Sequence, residues 1–155
     1  MKLADALALR GEAQKRFEQL RARAVASARF QEGEEPAEDA STLLSEAQDV
    51  LDELVVMVAQ INLTNSSNSL ADGTTLTAAL AKRDVLRLQH GLLNEVADAA
   101  SGQGRRAPRQ MRSELRQMAA VSVPELRGAA DDVAQQLREL DSRIQQRNWE
   151  IDLIE

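Results

Sequence analysis

Nine positions near the end of the chain set the terms for everything before them. Leu126, Ala130, Val133, Leu137, Leu140, Ile144, Arg147, Ile151 and Ile154 follow one another at steps of four and three. That spacing lays a single apolar seam along one helix face, the pattern that buries against another helix. Only Arg147 interrupts it. The helix start is marked by Ser122-Val123-Pro124-Glu125: a hydroxyl at the N-cap, proline in the first turn and a carboxylate three residues on. A helix of about 30 residues would be roughly 45 Å long, so the helices packed against it must be long as well.

The rest of the 155 residues agrees with this reading. Aromatic residues make up 2% of the chain, only Phe17, Phe30 and Trp149, which argues against sandwiches and barrels built on aromatic and β-branched strands. Ala, Leu, Glu, Gln and Arg dominate, and all favour helix. The fold class expected is therefore all-α, four long helices in antiparallel bundle packing within a single helical domain. The helices fall at about 3–30, 42–65, 75–101 and 123–154. An acidic linker, 31–40, separates the first two, and an arginine-rich loop, 102–121, separates the last two.

The first helix carries Leu3, Leu7, Ala13, Phe17, Leu20, Ala24 and Ala28 on one stripe. The second carries Leu43, Leu44, Ala47, Val50, Leu51, Leu54, Val55, Val58 and Ile61, a face wide enough to demand cover. The Asn- and Ser-rich stretch at 65–69 then leaves the helix, and Asp72-Gly73 turns the chain. The third helix has two adjacent apolar faces. Leu76, Leu80, Leu86, Leu93 and Ala97 form one; Val85, Leu88, Leu92 and Val96 form the other. It is expected to be the most buried of the four. Arg83 and His90 fall on the first face; the arginine needs a partner there, an acid from a neighbouring helix in preference to a bound ligand. Within the loop, Gly102, Gly104 and Pro108 interrupt helix, and residues 110–122 are expected to hold a helical turn or a short strand pair.

The net charge of −6 conceals segregation. Residues 31–55 hold nine acids and no base, among them Glu32, Glu34, Glu35 and Glu38. Residues 101–120 hold Arg105, Arg106, Arg109, Arg112 and Arg116 against Glu114 alone. Complementary blocks in one chain point to pairing within a subunit or between copies, so these nine residues form a candidate interaction surface and a homo-oligomer is expected. The arginines lack aromatic residues on which a base could stack, and the whole chain is acidic, so the nucleic-acid signal is weak.

Chemistry is sparse. There is no cysteine, so neither disulfides nor thiolate metal sites arise, and His90 is the only histidine. No Glu-x-x-His pair or phosphate-binding glycine loop occurs. No catalytic residue, metal ligand or cofactor is assigned, and a small-molecule ligand is not identified. The one enzymatic pattern is that of all-α, Mg²⁺-dependent nucleotide hydrolases, for which Glu46, Asp49, Asp52 and Glu53 would face Glu95 and Asp98; such acid pairs are also common on solvated helix faces. Without an apolar leader or a run of about 20 apolar residues, the chain is expected to be cytoplasmic.

Four blocks carry a resemblance. They are Arg29 to Asp39, Ile61-Asn62-Leu63-Thr64-Asn65, Asp72 to Asp84, and Leu140 to Trp149. In order and spacing they resemble an uncharacterised bacterial, mainly actinobacterial, helical family, some of whose members are labelled septicolysin. The resemblance spans nearly the whole chain. The label implies a pore-forming cytolysin, for which the chain supplies no export signal, membrane span or aromatic-rich hairpin. Asn62, Asn65, Arg83, Asp84, Asn148 and Trp149 lie in these blocks where packing alone would accept Leu or Ala, and they form the candidate polar cluster.

Overall fold

The computed structural model describes residues 1–103 and 115–155. It is all-α, with four long helices: α1 (Leu3–Ala26), α2 (Ala40–Ser67), α3 (Leu76–Ala100) and α4 (Val123–Glu150). The chain forms two compact units. One comprises Met1–Ser69 with Gln146–Glu155, the other Leu70–Gln145.

In the first unit, Leu20 and Ala24 of α1 are buried with Leu43, Ala47 and Val50 of α2, and Phe17, Ala13 and Leu54 pack against them. Late α1 residues meet early α2 residues, so the two helices run antiparallel. The linker between them closes through Arg23, whose Nε donates to Glu38 Oε2 at 2.9 Å. α1 ends at Ala26 rather than near residue 30. Ser27 is buried and begins a tight turn, with the Ala28 amide bonded back to Val25 O, which starts the reversal that brings Glu38 to Arg23. α2 starts where Asp39 accepts from the Ser41 amide at 3.0 Å and from Thr42 Oγ1 at 2.8 Å, a side-chain cap for amides that the helix itself cannot satisfy.

The opposite end of this unit is held by main-chain bonds. Leu3 N donates to Ile151 O at 3.0 Å, and Leu153 N to Met1 O at 2.8 Å, making an isolated antiparallel bridge between Lys2 and Asp152. This explains why α4 stops at Glu150 rather than 154: the Ile151 carbonyl and the Leu153 and Ile154 amides bond to other segments. Thr64 is fully buried. Its Oγ1 donates to Gln60 O (2.8 Å) and accepts from Ile154 N (2.9 Å). Arg147, the one charge in the α4 seam, directs Nε to Ser69 O at 2.9 Å, so its polar end finds a carbonyl.

In the second unit, Leu70 N bonds to Thr74 O across the Asp72-Gly73 turn, where Gly73 takes φ +85, a conformation that suits glycine. Thr75 caps α3 through the Ala78 amide at 3.2 Å. Gly102, at φ +78, lies just beyond α3 and marks its stop. Leu76, Ala79, Leu86 and Ala97 of α3 are buried, as are Ala130, Val133, Leu140 and Ile144 of α4. The 4–3 seam of α4 is thus its inner face. The strand pair considered within 110–122 falls partly outside the described residues, and residues 115–122 carry no strand.

Thr64→Val keeps the shape of the side chain but leaves the Ile154 amide without its acceptor. An unmet buried donor costs about 1–3 kcal/mol, so urea unfolding monitored by circular dichroism should show that loss of stability with helix content unchanged before the transition.

Candidate functional site

Four members of the candidate polar cluster belong to the first unit. Asn62 is exposed and Asn65 half-buried on the last turns of α2; Asn148 is half-buried and Trp149 exposed on the last turn of α4. The α2 and α4 ends are joined by the Ile154–Thr64 bond. Arg83 and Asp84 belong to the second unit. There Arg83 Nε and Nη2 each lie 3.1 Å from Asp84 Oδ1, and Nε lies 3.9 Å from Asp141 Oδ1 on α4. Arg83 therefore has the acid on a neighbouring helix that its position called for. Arg87 lies 3.5 Å from the same carboxylate.

Further along α3 lies a connection that the periodicity did not show. Arg127 of α4 donates to Asn94 Oδ1 at 3.1 Å and pairs with Asp98. The Asn94 amide nitrogen stands 3.1 Å from His90 Nε2. Asn94 and Asp98 are four residues apart, hence on one helix face, and this spacing was the available signal. With Arg83 and Arg87 on Asp141 early in α3 and Arg127 on Asp98 late in it, α3 and α4 run antiparallel.

The proposed contact surface is only partly visible. Glu32, Glu34 and Glu35 are exposed, Glu38 is held by Arg23, and Arg116 is exposed; Arg105, Arg106, Arg109 and Arg112 lie outside the described residues. The Arg23 guanidinium, chiefly by its hydrogen bonds, holds the Glu38 carboxyl below the usual carboxylate range. Among the described residues, no three His, Cys, Asp or Glu side chains are grouped to hold a metal ion, and no helix is long and apolar enough to cross a membrane. A pocket of about 110 Å³ in the second unit is lined by Lys82, Leu86, Gln136, Glu139, Leu140 and Arg143. Sites for drug-sized ligands are several times larger, on the order of 300–1,000 Å³.

The more telling feature is apolar. The second face of α3, expected to be buried, is exposed: Leu88 at 75%, Val85 and Leu92 at 61%, and Val96 at 37%. The buried residues of α3, Leu76, Ala79, Leu86 and Ala97, lie on its other side. α2 shows the same excess. Leu44, Val55, Val56, Val58 and Leu63 are exposed, and no charged residue occurs from Leu54 to Ala71.

The match to a family of unknown function, DUF6847, extends over residues 10–153. The chain belongs to this family. Among solved structures, a functionally unknown conserved protein from Corynebacterium diphtheriae is 37% identical, with a TM-score of 0.89 covering 99% of each chain. The resemblance to an uncharacterised actinobacterial group is thereby met at the level of family and fold, while neither similarity carries the septicolysin label. No curated protein matches the chain.

For this DUF6847 member, acid sensitivity should centre on Asp72. Hydrogen bonds from Arg143, then from Thr74, hold its carboxyl far below the usual range. A group depressed in the folded state adds stability above its unfolded pKa of about 4 and loses it as pH falls through the folded value. Asp72→Asn should therefore lower the urea midpoint at pH 7, and the gap from wild type should narrow as pH is taken well below 4.

Proposed function

We propose that this protein is a cytoplasmic structural or interaction protein that works as a helical homo-oligomer. The observation that carries this reading is the exposed apolar face of α3. Fully burying a Val or Leu side chain is worth roughly 1.5–3 kcal/mol, and four such residues share one side of one helix, three of them more than half exposed. Contiguous apolar patches of this kind mark contact sites in soluble proteins. The uncharged part of α2 from Leu54 to its end at Ser67 supports the same reading, because interface centres are depleted of charge. The segregated acidic and basic segments would then help orient copies as they meet.

Light scattering coupled to size exclusion, at micromolar concentration and moderate salt, should give a mass that is a multiple of 17.0 kDa. Leu88→Glu should shift the protein toward 17.0 kDa while leaving its helical circular dichroism intact, since Leu88 takes no part in the subunit core. A wild-type mass of one chain would overturn the assembly.

A further inference from the structure

The turn into α3 holds a dipeptide with a chemistry of its own. Asp72-Gly73 is the one aspartate–glycine step in the chain, and asparagine–glycine does not occur. A glycine has no side chain to hinder its own amide nitrogen, so an aspartate before it is well placed to close on the backbone. The Gly73 nitrogen bonds to Asp72 Cγ while a Cγ–O bond of the carboxylic acid breaks, and the hydroxyl leaves with the amide proton as water. The cyclic imide then takes up one water. Opening at Cγ restores aspartate. Opening at the Asp72 main-chain carbonyl leaves the chain running through Cγ, an isoaspartate with one more carbon in its backbone.

The setting is open. Asp72 and Gly73 are exposed, and a Cβ built on Gly73 would meet no atom within 4 Å, so crowding does nothing to prevent ring closure. Hydrogen bonds oppose it instead. Asp72 Oδ1 accepts from the Thr74 amide at 2.9 Å, and Oδ2 accepts from Arg143 Nη2. Losing either oxygen as the leaving group breaks one of these bonds. The Gly73 amide donates to Leu70 O at 3.0 Å, which holds the proton that ring closure must remove. Arg143, ahead of Thr74, also keeps the carboxyl ionised. A carboxylate resists attack at Cγ, and each pKa unit by which the group is held down makes the reactive acid form about tenfold scarcer at neutral pH. Thr74 and Leu70 belong to the turn itself. Arg143 reaches it from α4, 71 residues further along the chain.

We propose that Asp72-Gly73 is a latent isomerisation site and that Arg143 keeps it closed: while its guanidinium holds the Asp72 carboxyl the turn stays aspartyl, and without it Asp72 converts to isoaspartate. The inference stands apart from self-association. An extra backbone carbon at Asp72 would displace Thr74, whose carbonyl accepts from Leu70 N at 2.8 Å, and Thr75, which caps α3. The lesion would undo the start of that helix.

The test ages the purified chain for weeks at neutral pH and physiological temperature. Isoaspartate at position 72 is then read by peptide mapping and by enzymatic methylation of the α-carboxyl that isomerisation frees. It should accumulate slowly in folded wild type and several-fold faster in Arg143→Gln and in Arg143→Met. The Arg143 side chain is 45% exposed, so both variants should keep their helical circular dichroism, and either one that does suffices. Arg127→Gln, which loosens the contact with Asp98 and leaves the turn alone, should age like wild type. The wild-type chain in urea gives the unprotected rate. Folded wild type that isomerises as fast as the chain in urea overturns the closed site. A folded Arg143 variant that ages like wild type, or an Arg127→Gln that accelerates equally, overturns the role of Arg143.

Discussion

An interior made almost without aromatic rings has to be assembled from Leu, Val, Ile and Ala, and that constraint governs the rest of the molecule. Alanine recurs at the buried positions of all four helices, with Ala6, Ala24, Ala47, Ala79, Ala97 and Ala130 in the core. Alanine lets helices come close but removes little apolar surface from water at each contact. Each unit therefore gains its burial along long seams, one layer deep, and a helix with apolar residues on two sides keeps one side uncovered. The outward faces of α2 and α3 follow from this shallowness.

Where aliphatic burial is thin, directional bonds take up the joining of segments. In the second unit Asp141 receives Arg83 and Arg87, and Asp98 receives Arg127. These partners are partly solvated, so each pair is worth little as energy. Their effect is on register, because a guanidinium displaced by a helical turn would lose its acid. In the first unit the buried Thr64 hydroxyl has a similar task, serving the α2 carbonyl at Gln60 and the Ile154 amide together.

Much of this was readable from residue order, and the failures share one cause. The α4 seam, its start at Ser122-Val123, the interruption at Gly102 and the need of Arg83 for an acid all depend on local spacing. That information is complete within a few turns of chain. Periodicity reports that a face is apolar and cannot report what covers it, so the Val85–Val96 face of α3 read as buried although its large residues are exposed. The early ends of α1 and α4 were hidden for a related reason: Arg23 meets Glu38, and Ile151 to Ile154 meet Met1, Leu3 and Thr64, through partners distant in sequence. Of the candidate polar cluster, the family-like blocks identified the residues, while their division between two units needed coordinates.

The bridge between Lys2 and Asp152 brings the first and last few residues side by side. A tag or fusion placed before Met1 would therefore leave the protein beside one placed after Glu155. Trimming the last five residues would strip the acceptor from Leu3 and the donor from Thr64 in one cut, opening the foot of α1 and the far end of α2 together. Reporter domains for this protein are better inserted elsewhere than appended there.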